Sequence, residues 1–204
     1  MRSLSKPHWL RSRIYLKLAV SHLPRLGSQY HSHSVIDGLA NLEVMLHIVG
    51  PFGDELPVTC QITCREAWSV FDAFITKYGS DYESTEHVTR VLRHGLTFFG
   101  SSALVVMPAV LARMSSAFEQ TGHSSYLWIA GKIISRFGNE ENLTLRSAFR
   151  DIYERSTKKL AALLQGKSPS TMPDGVLRQC LTCMTILIRT SSQCWRTTCA
   201  CCLR

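Results

Sequence analysis

A chain of 204 residues, 45% of them apolar, can bury a continuous core, which excludes a protein that is disordered throughout. The formal net charge of +8 would suggest nucleic acid or an anionic membrane as partner, but the excess lies at the two ends. Residues 1–36 contain six basic residues and no acid, and residues 175–204 contain four arginines and no acid. The body between them is close to neutral, which argues against a broad phosphate-binding surface on it.

The N-terminal segment, residues 1–34, is basic and is predicted to be helical. Its apolar stretch 16–20 is too short for a secretory signal and is interrupted by Lys17. No run of 18 or more apolar residues occurs in the chain, so we expect neither a transmembrane helix nor a membrane partner. Three interpretations of the segment stay open: a mitochondrial transit peptide, which is Arg- and Ser-bearing and poor in acids, a basic helix, or an incorrectly assigned start.

The body of the chain follows as a series of amphipathic helices. Apolar residues predict helices over 36–48 and 58–78 and then recur with the 3.6-residue helical period along further stretches. Each helix is therefore expected to have one buried and one exposed side. The side chains assigned to the core are Ala67, Trp68, Phe71, Phe74 and Ile75; Val88, Val91, Leu92, Leu96 and Phe99; Leu104, Met107, Leu111, Met114 and Phe118; Tyr126, Ile129, Ile133 and Phe137; Leu145, Phe149, Ile152, Leu160 and Leu163.

Glycines separate these helices. Five of them are predicted to end a helix with a positive φ, namely Gly79, Gly100, Gly122, Gly138 and Gly166. Residues that favour the N-cap of the next helix follow, namely Ser80 and Asp81, Ser101, Ser124 and Asn139. We expect Pro108 to kink a helix that begins at Ser101, because proline removes a backbone hydrogen bond about two turns into it.

The predicted fold class is all-α, because alternating strand patterns are short and no turn dipeptide joins two of them. Two helices with their connections recur at roughly 40 residues, which is the period of HEAT or armadillo repeats and longer than that of tetratricopeptide or ankyrin units. We therefore predict an α-α superhelix, a HEAT/ARM-type solenoid of about three to four helix pairs, over residues 35–174. A compact helical bundle is the alternative, because the repeats share negligible sequence identity.

The segment from about residue 58 to residue 174 resembles the C-terminal half of importin-β-type (karyopherin-β) receptors. The similarity is to the transportin-3 class, which includes the mRNA transport regulator proteins and is related to importin-13. It rests on the order and spacing of several stretches: EAWSV at 66–70, HVTRVLRHGLTFFG at 87–100, VMP at 106–108 followed by Met114, and HSSYLWIAGKIISRFGNEE at 123–141. Residues 36–57 fit the preceding repeat of such receptors.

The resemblance implies a binding protein without a cofactor, and not an enzyme. Receptors of this class carry proteins with Arg-Ser-rich domains into the nucleus and release them when Ran-GTP binds. Ran-binding repeats lie mainly in the N-terminal part of such receptors, and nothing in this sequence corresponds to them. The chain is thus expected to be a fragment of a receptor that shuttles between nucleus and cytoplasm through the nuclear pore.

The resemblance also implies a cargo-binding helix at about 84–99. In the family an arginine-rich helix on the inner surface pairs with phosphorylated serines of the cargo, and a guanidinium can hold a phosphate through two parallel hydrogen bonds. Arg90 and Arg93 occupy two of the family's arginine positions, His87 occupies a third and Thr97 a fourth. The alternative interpretation is a solvated polar face on which Glu86 pairs with Arg90 at i, i+4.

Residues 175–204 depart from this pattern. The segment is rich in Cys, Thr and Arg, and six of the eight cysteines lie in it. We expect a shifted reading frame or a mis-spliced exon after residue 174. The alternative is a zinc site in which Cys180 and Cys183 form a C-x-x-C pair and Cys194 and Cys199 are later ligands.

An enzymatic function has little support in the sequence, because the chain has no G-x-G-x-x-G, Walker, G-x-S-x-G or H-E-x-x-H motif. Two functions from different classes remain. The first is a transport-receptor fragment that binds protein cargo. The second is a small basic helical protein that binds RNA or zinc through its two ends.

Overall fold

A computed structural model describes residues 32–49, 58–166 and 185 of the chain. Within these residues every regular element is a helix, so the predicted all-α fold class is confirmed. The elements are α1 (Ser32–Val49), α2 (Val58–Tyr78), α3 (Tyr82–Phe99), a 3-10 helix (Gly100–Val105), α4 (Met107–Thr121), α5 (Ser124–Phe137) and α6 (Leu143–Gly166). The interpretations of the basic N-terminal segment, the C-terminal tail and its cysteines fall almost entirely outside the described residues.

The described residues fall into two compact units that divide between Val106 and Met107. In the first unit α3 packs against both α1 and α2, and the 3-10 helix packs against α2 and α3. The pattern predicted much of this core, although Trp68, Leu92 and Leu104 are only half-buried. Its buried apolar side chains are Leu39, Leu42, Leu46, Cys64, Ala67, Phe71, Phe74, Ile75, Val88, Val91, Leu96, Phe98, Phe99, Ala103 and Val106.

In the second unit α4 contacts both α5 and α6. The predicted core residues of α4 and α5 are all buried, and Met114, Ile129 and Ile133 are fully inaccessible to solvent. On α6 the prediction holds for Leu145, Ile152 and Leu160, whereas Phe149 is half-buried. The predicted side chain of Leu163 lies outside those that the structure describes. Helices α4 and α6 therefore pack through an apolar stripe, as their 3.6-residue period indicated, whereas ten of the 14 residues of α5 are buried.

Two of the predicted helix-ending glycines have the expected backbone. Gly100 has φ of 51° and Gly122 has φ of 75°, a region in which a Cβ atom would be strained. The expectation of positive φ is wrong for Gly138, whose φ is −63°, and for Gly79. Gly166 is the last residue of α6. Gly79 still donates its N–H to the carbonyl of Ile75 and follows the last turn of α2, so an ordinary right-handed turn ends that helix.

The predicted kink at Pro108 is wrong. The segment that starts at Ser101 is a 3-10 turn that ends at Val105, and α4 begins anew at Met107. Pro108 thus lies in the first turn of α4, where backbone N–H groups have no intrahelical acceptor to lose. Proline here marks the start of a helix, not a bend within one.

The N-caps follow the prediction in one case out of the four. The Asp81 side chain accepts a hydrogen bond from the N–H of Ser84 at 2.8 Å and caps α3. Before α6 the capping side chain is Asn142, which accepts from the N–H of Leu145 at 3.1 Å, and not Asn139. Residue His123 precedes α5 without a side-chain cap, and Ser101 lies in the 3-10 turn.

No single described helix is long and apolar enough to cross a membrane, although Tyr82–Val105 and Met107–Thr121 pass that test of length and composition together as a bent pair.

The cap at Asp81 gives a test of the fold. Asp81→Ala leaves the N–H of Ser84 without its acceptor, so we expect the free energy of unfolding to fall by about 1 kcal/mol. Asp81→Asn keeps an acceptor oxygen at the same position and is the matched control. Chemical denaturation of both variants measures the effect, and an equal loss in the two would contradict a role for the hydrogen bond.

Candidate cargo-binding site

Helix α3 carries the predicted cargo-binding residues on the side that faces away from its core. Its buried residues are Ser84, Thr85, Val88, Thr89, Val91, Leu96, Phe98 and Phe99. Arg90 is exposed, and His87 and Arg93 are half-buried. Packing against α1 and α2 thus holds the helix by one side and leaves the other side accessible to a ligand.

Arg90 is the most accessible of the three predicted residues, with 48% of its side chain exposed. Its Nη2 donates a hydrogen bond to Oε2 of Glu86 at 3.0 Å, which forms an i, i+4 ion pair. The hydroxyl of Tyr82 donates to the other carboxylate oxygen, Oε1 of Glu86, also at 3.0 Å. The pairing expected for a solvated polar face is therefore present, and it engages the guanidinium of Arg90 along one edge.

Arg93 lies one turn further along α3 and contacts His94. Its Nη2 lies 2.9 Å from Nε2 of His94. A guanidinium has donors and no acceptor, so this contact is a hydrogen bond only when Nε2 of His94 carries no proton. The same Nε2 atom is 3.6 Å from Oε1 of Glu43 on α1, and the His94 ring meets the ring of His47 edge-on.

The surroundings of His94 favour its neutral form, because their net effect lowers its pKa. Burial is the main cause that lowers its pKa below the ordinary value of 6.5, and the positive charge of Arg93 lowers it further. Glu43 acts in the opposite direction, and its carboxylate does not outweigh the burial. Neutral His94 accepts the hydrogen bond from Arg93 in the tautomer that carries its proton on Nδ1, and in that form the imidazole helps to position the guanidinium.

His87 and Thr97 have fewer hydrogen-bonding groups available to a ligand than the two arginines. The Nδ1 atom of His87 is buried and has no hydrogen-bond partner among the described residues. Thr97 is exposed, and its hydroxyl donates to the carbonyl of Arg93 at 3.3 Å. The structure thus places the two arginines on the accessible side of α3 and places His87 at its edge, where one ring nitrogen is withdrawn from solvent.

The chemistry available to this surface is anion binding. Arg90 retains guanidinium N–H groups beyond the one that Glu86 engages. Within the described residues no group of three or more His, Cys, Asp or Glu side chains could hold a metal ion. Cys64, one of the two cysteines outside the tail, is buried and is not part of a disulfide.

Four residues around the arginines were not assigned a role from the sequence, namely Tyr82, Glu43, His47 and His94. Tyr82 lies four residues before Glu86, so helical spacing could have indicated their contact. Glu43 and His47 reach the site from α1, and nothing in the local sequence of either helix indicates that they meet His94. Only the packing of α1 on α3 brings them together.

Comparison with known proteins adds a family to this geometry. The family model described as the fourth TPR domain of transportin-3 and importin-13 matches residues 58–164. An uncharacterised protein of Schizosaccharomyces pombe is 22% identical over 132 residues, which are 64% of this chain and 13% of that protein. The chain therefore corresponds to a small part of that relative's length. No solved structure matches the chain significantly.

The lowered pKa of His94 predicts a pH dependence of stability. The unfolded chain binds a proton at His94 more readily than the folded chain, so stability is fully present above about pH 6.5 and falls as pH drops below that value. His94→Gln should remove this part of the slope. Urea denaturation of both proteins between pH 8 and pH 5 measures it, and identical slopes would show that His94 does not contribute.

Proposed function

Because the chain belongs to the transportin-3 and importin-13 family, we propose that it is a segment of a nuclear import receptor that binds protein cargo with phosphorylated Arg-Ser-rich segments. The family is a class of transport receptors and not of enzymes. The observation that carries the proposal is the exposed guanidinium of Arg90, with Arg93 one turn away, on a helix whose opposite side is fixed in a core.

The chemistry of the two arginines suits phosphoserine. A phosphoserine carries about 1.5 to 2 negative charges at neutral pH, and its three oxygens accept hydrogen bonds from guanidinium N–H groups in a bidentate arrangement. Arg90 offers such a group directly to solvent. Arg93, which contacts His94, provides a second guanidinium. It lies one turn further along α3, at the spacing of neighbours on one helical face. Successive phosphoserines of one cargo segment could thus meet successive arginines.

His87 enters the proposal as a weaker contact. A neutral imidazole has one N–H donor, and the Nδ1 atom of His87 is buried. Only its Nε2 could therefore reach an anion. We infer that the two arginines supply most of the binding and that affinity is lower than an all-arginine surface would give.

We infer the direction of transport and the cellular location of the protein from its family. In a full-length receptor Ran-GTP would bind repeats that precede the matched residues and would release the cargo. The protein would then shuttle between cytoplasm and nucleus. The family match supports these proposals, whereas the RNA- and zinc-binding alternative rests on terminal residues that lie outside the described ranges.

Charge reversal at the two arginines tests the cargo site. Two charge-assisted contacts of about 1.5–3 kcal/mol each are removed in Arg90→Glu/Arg93→Glu, so we expect affinity for a doubly phosphorylated Arg-Ser peptide to fall at least about 100-fold. Fluorescence anisotropy with the 204-residue chain measures the dissociation constant, and the unphosphorylated peptide shows whether binding depends on phosphate.

A matched control distinguishes loss of the binding site from a change in the net charge of the protein. Arg65→Glu/Lys158→Glu changes the charge by the same amount at exposed positions on α2 and α6. This control should bind the phosphopeptide nearly as the wild type does. Unchanged affinity in the Arg90/Arg93 variant, or an equal loss in the control, would remove these arginines from the site.

A further inference from the structure

We propose that Glu86 is a built-in competitor that limits the affinity of this surface for anionic cargo. This inference rests on the proposed function, because it concerns the regulation of the same arginines. In the structure the carboxylate of Glu86 occupies the guanidinium of Arg90 at 3.0 Å. A phosphate that binds Arg90 along that edge must either displace Glu86 or bind next to its negatively charged carboxylate.

The carboxylate of Glu86 is held in place from two sides. Oε1 accepts a hydrogen bond from the Tyr82 hydroxyl and Oε2 accepts one from Arg90, both at 3.0 Å. Two partners on the two carboxylate oxygens favour an arrangement in which the side chain lies beside the guanidinium. Glu86 is also the more shielded member of the pair, with 31% of its side chain exposed against 48% for Arg90.

The helical period places Glu86 inside the ligand's footprint. At 100° per residue, position 86 lies between positions 93 and 90 around the circumference of α3, about 20° from the first and about 40° from the second. Helical side chains also lean toward the N-terminus, so both arginines reach back toward the turn that carries Glu86. An anion that contacts Arg90 and Arg93 together therefore approaches this carboxylate.

Competition of this kind scales with the charge of the ligand. A solvent-exposed ion pair contributes little stability, so a phosphate can displace Glu86 at low cost. The displaced carboxylate remains on the same turn and repels the bound group, and the repulsion is larger for a phosphate than for a singly charged carboxylate. Glu86 thus weakens the binding of phosphorylated cargo more than that of merely acidic peptides, which favours reversible capture.

The test is Glu86→Gln, which keeps the shape of the side chain and removes its charge. At low salt we expect this variant to bind the doubly phosphorylated Arg-Ser peptide about three- to tenfold more tightly than the wild type. The gain should be smaller for a peptide with Asp at both phosphoserine positions, and it should shrink as salt is raised. A purely structural role of Glu86 would not produce a gain that depends on ligand charge.

Glu83→Gln is the matched control, because Glu83 is an exposed acid of the same helix and its loss changes the net charge equally. It should alter affinity less than Glu86→Gln. An equal gain in the two variants, or no gain in Glu86→Gln while the wild type binds the phosphopeptide, overturns the competitor role alone. If neither the wild type nor Glu86→Gln binds the phosphopeptide, the proposed function fails and the competitor role fails with it.

Discussion

The packing of α3 between α1 and α2 is the constraint on which the candidate site depends. An isolated helix of this length is marginal in water, so its tertiary contacts keep it helical and determine which side it displays. Even the polar residues on its buried side fit this role, because the hydroxyls of Thr85 and Thr89 donate to main-chain carbonyls one turn earlier. Because this packing fixes the buried side of α3, the side chains of Arg90 and Arg93 extend from the opposite side.

The sequence predicted the helices and their cores well, because both follow from periodicity. Met114 and Ile133 recur at helical spacing on patterns that remain regular over several turns, and both are fully buried. Helix ends were predicted less well, because a glycine or proline is compatible with several local geometries. Gly138 ends α5 with an ordinary negative φ, and Pro108 suits the first turn of α4 as readily as a kink.

The site was predictable to the extent that its contacts are local. The Glu86–Arg90 pair belonged to the alternative interpretation of a solvated polar face, because i, i+4 neighbours share a helical face, and the structure contains it. The contact between His94 and Glu43 could not be expected, because it joins two helices that are distant in the chain. The same packing buries His94 enough to lower its pKa, so the positioning of Arg93 depends on tertiary structure that no local pattern encodes.

The charge of α3 indicates how such a surface can select its ligand. The helix carries two acids and two arginines, so it has no net charge when its histidines are neutral. A neutral helix on a nearly neutral body exerts little long-range attraction on anions, and binding must come from short guanidinium contacts. Under the proposed function, those contacts select an anion whose charges lie at the spacing of Arg90 and Arg93, as in a phosphorylated repeat. A helix with no net charge that contacts its ligand through two arginines therefore favours specificity for the ligand over high affinity.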